Sequence, residues 1–254
     1  MNILWVTNIS IYDFKQELNR SISNSGGWIQ EFYKFFEKNK RNNIIVCSFD
    51  VNIKKTICSI KDNSSHYLIP KDIKNPCKYD CSVEKELEMI ILKENPDIIH
   101  IWGTEFAHSL SALKVAKRLE IKNIISIQGL ISNCANHYCD GIPRRVLRRY
   151  TFRDFIRMDN LLQQQKKFVQ RGIFESNSLE IAKHVIGRTD YDYSYIKTKY
   201  KDIDYYFCNE CLREEFYNYK WNVNNIDRHT IFISQASYPI KGFHYFLAGL
   251  KIIK

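Results

Sequence analysis

The sequence has no long apolar run and no basic leader. Nothing in its 254 residues approaches the ~18 successive apolar residues of a membrane-spanning helix. The first residues, Met1 to Asn8, hold a short apolar run that no lysine or arginine precedes, unlike a secretory signal. These absences argue against a membrane-spanning or secreted protein and predict a soluble, cytoplasmic chain.

The sequence also lacks a second tight cysteine pair. Among its eight cysteines, only Cys208 and Cys211 have the C-x-x-C spacing of a zinc knuckle, and one such pair cannot complete a tetrahedral site. Reduced thiols are the expected state, so we predict neither a metal site nor a cofactor. The alternative is a zinc site completed by one of two looser pairs. These pairs are Cys77 with Cys81 and Cys134 with Cys139.

Apolar and basic residues are abundant. Apolar residues make up 44% of the chain and aromatic residues 14%, enough for a substantial core in a globular protein. The 38 lysines and arginines exceed the 28 acidic residues, which gives a formal net charge of +10. Such a charge predicts attraction to polyanionic partners, namely nucleotides, anionic lipid surfaces, acidic glycans or nucleic acid, without choosing among them.

Strand and helix patterns alternate along the chain. The clearest strand lies between Pro96 and Gly103, is apolar almost throughout, and is followed by a helix over residues 105–119. His100, inside this strand, is expected to be structural. We therefore expect an α/β fold, a Rossmann-like parallel sheet with helices on both faces. The other predicted strands span residues 3–7, 44–48, 56–60, 66–69 and 123–128, and the other predicted helices include those near Trp28 and over 83–94.

Polar and glycine residues follow the predicted strands at their carboxyl ends, the edge where doubly wound sheets bind ligands. They include the runs 102–105 and 187–189 and the side chain of Gln128. Glu105 and His108 lie one helical turn apart at the start of the next helix, which predicts that both face a cleft. The alternative is that βα loops need such residues for their turns alone.

Two glycines precede the helix near Trp28. Gly26 and Gly27 end a polar loop after the first strand, and adjacent glycines let a phosphate group approach the backbone closely. The pair is not the G-x-G-x-x-G signature of dinucleotide-binding proteins, so a flexible loop end remains the alternative.

A second candidate phosphate site lies near residue 241. Ile231 to Ile233 is predicted to be a buried strand, and apolar residues from Phe243 onward recur at helical spacing. Lys241 and Gly242 lie at the start of that helix, whose unpaired N–H groups favour an anion. The alternative is a solvated lysine in an ordinary turn.

Arginines are concentrated after Pro143. That proline suits the first turn of a helix, and the following arginines are interleaved with apolar residues up to Arg157, which predicts one basic amphipathic helix. Such a helix suits an anionic membrane surface, and a solvated face is the alternative. No zinc-finger, RNA-recognition or helix-turn-helix signature accompanies it, so no nucleic-acid partner is predicted. The predicted acceptor or membrane contacts are Arg144, Arg145, Arg148 and Arg149.

Together these segments resemble the family-four retaining glycosyltransferases, which have the two-domain GT-B fold. The resemblance rests on the runs 96–105, 127–129, 184–192 and 204–217, and on the loop that ends in Lys241 and Gly242. It implies a nucleotide-sugar donor and a glycan or lipid-linked acceptor.

The resemblance also implies the donor contacts and the reaction. Cations and backbone dipoles are expected to stabilise the departing nucleotide phosphate while the acceptor hydroxyl attacks the same face of the sugar, so that the anomeric configuration is retained. The expected donor-binding residues are Gly26, Gly27, Arg188, Lys241 and Gly242.

Two positions depart from the family pattern. The Gly-Arg pair that precedes the lysine in the family is Gln235 and Ala236 here, so one of its two cations is missing. Many relatives have histidine where Gln128 stands, and glutamine can donate a hydrogen bond but cannot titrate. The catalytic candidates are therefore Gln128, Glu105 and His108.

The resemblance covers essentially the whole chain and divides it near residue 220. Residues 1–220 are predicted to form the N-terminal, acceptor-side domain, residues 221–228 a linker, and residues 229–254 the first strand, loop and helix of the donor-side domain. A Rossmann-like domain needs on the order of 100 residues, so we expect a truncated chain with little or no activity alone.

The predicted function is transfer of a sugar, with retention, from a nucleotide-sugar to a glycan or lipid-linked acceptor in the synthesis of surface polysaccharide or glycoconjugates. The predicted location is the cytoplasm, including the inner face of the membrane, where the basic segment contacts anionic lipid. Two alternatives remain from other classes: a non-catalytic module that binds an acceptor or a membrane, and a GT-B-shaped nucleotide-sugar epimerase.

Overall fold

The computed structural model describes residues 1–19, 26–39, 41–61, 64–71, 78–234 and 236–252. The chain divides into two compact units. Unit 1 comprises Met1–Leu130 and Phe174–Tyr219, and unit 2 comprises Ile131–Ile173 and Lys220–Lys254. The predicted domain boundaries at residues 220 and 229 stay a prediction.

Unit 1 is built on one eight-stranded sheet. The strand order is β3-β4-β2-β1-β5-β6-β7-β8, and every neighbouring pair is parallel except β3 with β4. The strands are β1 (Asn2–Thr7), β2 (Asn43–Asp50), β3 (Ile57–Lys61), β4 (Ser64–Pro70), β5 (Ile98–Trp102), β6 (Asn123–Ser126), β7 (His184–Gly187) and β8 (Asp204–Phe207).

Helices connect the strands and continue into unit 2. Single turns of 3-10 helix lie at Val223–Asn225 and Pro239–Lys241. The α-helices are α1 (Lys15–Leu18), α2 (Gly27–Lys38), α3 (Cys81–Glu94), α4 (Ala107–Arg118), α5 (Ile131–Asn136), α6 (Arg144–Leu147), α7 (Phe152–Arg157), α8 (Leu161–Ile181), α9 (Asp190–Lys199), α10 (Glu215–Asn218) and α11 (Phe243–Leu250).

The sheet of unit 1 has a core on each face. Successive residues of β1 point to opposite faces, so Leu4 and Val6 join the larger cluster with α3 and α4, whereas Trp5 packs under α2. Ile29 and Tyr33, one turn apart on α2, close the second cluster. A sheet covered on both faces needs strands that are apolar throughout, and the sequences of β1 and β5 are nearly continuous apolar runs. The predicted α/β, Rossmann-like fold is confirmed.

Strand β8 of unit 1 and helix α8, whose residues are divided between the two units, are among the elements that the sequence did not predict. Strand β8 is an edge strand whose Tyr206 and Phe207 are exposed, so it lacks the pattern of a buried strand. The first turns of helix α8 are rich in glutamine and lysine. Neither carries the strong apolar periodicity on which sequence-based assignment depends.

The strand predicted at 231–233 is wrong. Those residues adopt no strand, and the side chain of Phe232 is 86% exposed. A strand requires a neighbour to bond its N–H and C=O groups, and the sheet of the described residues contains no such neighbour for this segment. The helix predicted after it is confirmed as α11. Gly242, with φ +78°, forms its N-cap in a left-handed conformation that favours glycine.

The single basic helix predicted from residue 143 to residue 157 is also wrong. The segment forms two short helices, α6 and α7. Thr151 interrupts it, because its hydroxyl accepts from the N–H of Asp154 at 3.2 Å and the Asp154 carboxylate accepts from the N–H of Thr151 at 2.9 Å. This capping box starts a new helix in place of a further turn of the first.

His66 of β4 is buried and neutral. Its Nε2 lies 3.1 Å from the hydroxyl of Tyr33, and its ring stacks on Tyr12 at 5.0 Å. Burial, with a smaller contribution from the charge of Lys61, lowers the pKa of His66 to about 4. In the unfolded chain the imidazole has a pKa of about 6.5, so between those values the unfolded state binds the extra proton and stability falls with falling pH.

We therefore expect His66 to destabilise the fold in mild acid. Between about pH 7.5 and about pH 5 it should remove about 2 kcal/mol from the free energy of unfolding, a loss that His66→Gln abolishes. Urea unfolding at the two pH values measures it. His137→Gln, which replaces an exposed ring, controls for the loss of an imidazole as such. Equal pH dependence in the native chain and His66→Gln would contradict the assignment.

Candidate functional site

The carboxyl edge of the sheet gathers the candidate residues of unit 1. Because β1 and β5 to β8 are parallel, the loops that follow them meet along one edge. Gln128 follows β6, Arg188 directly follows β7, and Glu210 follows β8. Loops at this edge are held by a rigid sheet, as a binding site requires.

Arg188 is fixed at this edge by two partners. One guanidinium nitrogen donates to the backbone carbonyl of Gln128 at 2.9 Å, and the other lies 2.5 Å from a carboxylate oxygen of Glu210. The side chains of Arg188 and Glu210 are both partly buried. The structure thus brings together two residues predicted separately, Gln128 and Arg188, and adds Glu210, which the sequence analysis missed.

The turn that carries Arg188 is also tightly held. Thr189 and Asp192 form a capping box at the start of α9, and Asp192 also accepts from the backbone N–H of Arg188 at 3.1 Å. The ring of Tyr205 lies so close to Gly187 that any Cβ there would overlap it. A glycine at this position therefore lets the neighbouring strand β8 pack against the turn.

The two predicted glycines begin α2. Gly26, with φ +90°, is the N-cap, and a Cβ there would lie 2.5 Å from Cδ1 of Ile9. A Cβ on Gly27 would overlap the side chain of Arg213, so this arginine lies directly over the first turn of the helix. A helix N-terminus and a guanidinium are both positive, and their close approach favours an anion beside them.

Arg213 was missed as a site residue by the sequence analysis. It lies far along the chain from Gly27, and only the folded sheet brings the two together. The signal that could have found it is the Leu212-Arg213 pair within the segment that resembles the glycosyltransferases.

A cavity of about 240 Å³ lies beside Arg188. In its wall, the ring of His100 stacks on the ring of Trp102 with 4.0 Å between their centroids, and Nε2 of His100 lies 2.7 Å from the hydroxyl of Ser126. Burial lowers the pKa of His100 to about 3, so the ring is neutral. Nε1 of Trp102 is buried with no hydrogen-bond partner in the described part of the chain. Aromatic walls with a few polar groups at one end are typical of small-molecule sites. The lining includes Trp5, Phe32, Phe36, Gln128, Arg188, Asn209 and Glu210.

The other two catalytic candidates lie in buried surroundings. The ring of His108 is stacked between Phe49 at 4.1 Å and Phe106 at 5.0 Å. Burial, with the charge of Lys71, lowers the pKa of His108 well below its usual range, so the ring is neutral. Glu105 is buried just before α4. Neither residue is among those that line the cavity beside Arg188, and their catalytic role stays a prediction.

Lys241 and Gly242 belong to unit 2. Lys241 is exposed at the end of the 3-10 turn, where its backbone N–H donates to the carbonyl of Tyr238 at 3.0 Å. Gly242 then caps α11, so the predicted lysine does lie at a helix start. Its binding of a diphosphate stays a prediction, and Gln235 lies outside the described residues.

Unit 2 also carries the predicted arginine contacts. Arg144 and Arg145 lie in α6, and Arg148 and Arg149 in the turn after it, all exposed. With Val146 they line a surface depression. Their positive charges are therefore available to an anionic partner.

Metal-ligating side chains do not gather in the described ranges. There, no three histidine, cysteine, aspartate or glutamate residues are placed to share a metal ion. The described cysteines form no disulfide, and Cys77, invoked for the zinc alternative, lies outside those ranges.

Among the residues that the structure describes, no helix has both the length and the apolar character needed to cross a bilayer.

Comparisons with known proteins return likenesses to solved structures. No protein-family model matches the chain, and no curated protein matches it. Sucrose-phosphate synthase from Thermosynechococcus elongatus is 9% identical, with a TM-score of 0.49 over 82% of this chain and 47% of that one. UGT71G1 from Medicago truncatula, complexed with UDP-glucose, is 11% identical, with a TM-score of 0.44 over 82% and 51%.

A third likeness is to a different kind of enzyme. The UDP-GlcNAc 2-epimerase of Methanocaldococcus jannaschii is 11% identical, with a TM-score of 0.37 over 80% of this chain and 44% of that one. The chain thus spans about half the length of each of these structures. Likenesses at this level assign no activity, and the fold stands on its own sheet topology.

Proposed function

We propose that unit 1 binds the diphosphate of a nucleotide-sugar at the carboxyl edge of its sheet, and that the protein takes part in glycosyl transfer. One arrangement supports this: Arg188 is held between the Gln128 carbonyl and Glu210, at the same edge where Arg213 covers the glycine-led start of α2. Fixed cations and helix N–H groups are the groups that hold a diphosphate. The resemblance to retaining glycosyltransferases supplies the class of reaction.

In the proposed reaction the bond between the anomeric carbon and the phosphate oxygen breaks. Arg188, Arg213 and the first turn of α2 stabilise the negative charge that develops on the leaving diphosphate. The acceptor hydroxyl attacks the face that the diphosphate leaves, and its proton passes to the departing phosphate oxygen. Retention of configuration follows from attack on that face.

Other residues are proposed to position the sugar. Gln128 offers an amide to a sugar hydroxyl but cannot take up a proton. Glu105 and His108 stay candidates for a supporting catalytic role, because in this step the departing phosphate oxygen, and not His108, takes the acceptor's proton. The aromatic cavity beside Arg188 is the proposed place for the acceptor.

The partners follow from the same proposal. The acceptor is a glycan or a lipid-linked saccharide, and the pathway is surface polysaccharide or glycoconjugate synthesis. Arg144, Arg145, Arg148 and Arg149 are proposed to contact the acceptor or the membrane that carries it. The reaction is then placed in the cytoplasm, at the inner face of an anionic membrane.

A nucleotide panel tests the proposal. The chain is titrated by calorimetry with the diphosphates of uridine, guanosine, adenosine and thymidine, and then incubated with the corresponding nucleotide-sugars and followed by NMR. We expect one diphosphate to bind, and any sugar that the chain transfers from the corresponding nucleotide-sugar to water or to an added acceptor to keep its anomeric configuration. Absence of binding by every nucleotide would overturn the proposal. An epimerised sugar still joined to its nucleotide would favour the epimerase.

A further inference from the structure

One face of α7 is apolar and exposed. Phe152, Phe155 and Ile156 are 78%, 64% and 64% exposed. Their spacing of three and four residues places all three on the same side of the helix. A single exposed apolar side chain is ordinary in proteins, but three large ones on adjacent turns form a patch that marks a binding surface.

Arginines surround this apolar face. Residues 143–171 contain nine arginines and lysines against two aspartates, so these 29 residues supply +7 of the net charge of +10. One of the two acids, Asp154, is already engaged: its carboxylate accepts from the Thr151 N–H at 2.9 Å and lies 3.7 Å from the guanidinium of Arg153. With both acids counted, the segment still carries a large net positive charge.

The break between α6 and α7 separates the two kinds of surface. The capping box at Thr151 starts α7 as a helix of its own, with Phe152 as its first residue. The four arginines of α6 and the following turn line a depression of their own, in which no acidic residue takes part. Charged and apolar contacts are thus presented side by side on neighbouring elements of unit 2.

We propose that α6 and α7 dock the protein on an anionic lipid bilayer, with Phe152, Phe155 and Ile156 inserted among the headgroups. The arginines would bind lipid phosphates, which match the guanidinium fork. A soluble polyanion such as nucleic acid or an acidic glycan satisfies the charge but leaves the apolar face in water, whereas a bilayer takes up both. The inference deepens the membrane part of the proposed function and rests on it for its biological setting.

Vesicle flotation tests the docking. The chain is mixed with vesicles of phosphatidylcholine alone, or with about a third phosphatidylglycerol, without any nucleotide. We expect binding to the anionic vesicles to be on the order of 100-fold stronger. Arg144→Gln with Arg145→Gln should weaken it about 30-fold, and Phe152→Ser with Phe155→Ser on the order of 100-fold.

Matched substitutions elsewhere serve as controls. Phe216→Ser removes a phenylalanine that is 66% exposed on α10, and Arg41→Gln with Arg228→Gln removes two exposed charges. Neither control should change vesicle binding by more than about twofold. Phe155→Trp adds a reporter, because brominated lipids should quench its fluorescence if the side chain enters the bilayer, over and above quenching of the native tryptophans.

Three results would overturn the proposal. They are equal binding to neutral and anionic vesicles, no effect of the two phenylalanine substitutions, and complete competition by a soluble polyanion such as heparin with no added quenching in the Phe155→Trp variant. Because nucleotide is absent throughout, failure here leaves the nucleotide titration unaffected. If instead no nucleotide binds in that titration, binding to vesicles would still support membrane docking, but not glycosyl transfer.

Discussion

Trp5→Ala should lower the free energy of unfolding by about 3–5 kcal/mol. The side chain is 1% exposed. Its ring makes edge contacts with Trp102 at 5.3 Å, Phe36 at 5.7 Å and Tyr33 at 6.3 Å, so it joins β1 to both β5 and α2. Alanine would enlarge the neighbouring cavity and remove these contacts, and the surrounding sheet can collapse only in part.

The measurement is urea unfolding followed by circular dichroism. Trp221→Ala is the matched control, since that tryptophan is 80% exposed and its removal should change stability by no more than about 0.5 kcal/mol. A loss below about 1 kcal/mol in Trp5→Ala would contradict the described packing of the α2 face.

Arg188→Ala should weaken binding of the preferred nucleoside diphosphate about 30-fold to 1000-fold, or roughly 2–4 kcal/mol. The arginine is already fixed between Gln128 and Glu210, so no side-chain ordering is required when the anion binds. Its removal also leaves the Glu210 carboxylate without its partner, and that charge repels a phosphate. Arg188→Lys keeps the positive charge but lacks the planar guanidinium that can donate two parallel hydrogen bonds, so we expect an intermediate loss of affinity.

The control is an arginine in a similar ion pair at the other edge. Arg118 ends α4 and contacts Glu84 at 2.7 Å and Glu88 at 2.9 Å. Since α4 runs back from the carboxyl edge, Arg118 lies towards the amino edge. Arg118→Ala should therefore leave nucleotide affinity within about twofold. Equal losses in Arg118→Ala and Arg188→Ala would show a general charge effect in place of a site.

Much of the fold could be predicted because its central strands are apolar on both faces. Strands β1, β5 and β6 show this pattern directly, and α3 and α4 follow at the expected spacing. The strand predicted at 231–233 was wrong, because local β preference cannot form a strand without a partner. The helix predicted across Thr151 was wrong because a capping box outweighed the continuing arginine pattern.

The candidate site could be predicted only in part. Gly26, Gly27 and Arg188 could be predicted as site residues, because the loops after parallel strands meet at one edge of the sheet. Arg213 and Glu210 were not predicted, since their positions over α2 and beside Arg188 depend on packing between residues far apart in the chain. The burial of His108 between two phenylalanines likewise depends on the sheet, and not on its helical spacing from Glu105.

The central claim is that a nucleoside diphosphate binds at the carboxyl edge of unit 1. Amide hydrogen exchange, with and without the best-binding diphosphate, tests it most directly. The account predicts slower exchange at residues 26–29, 128–130, 187–190 and 209–213, and no change at residues 118–123 and 200–204 at the opposite edge. Protection confined to the opposite edge, or no protection at the carboxyl edge when the nucleotide is bound, would contradict it.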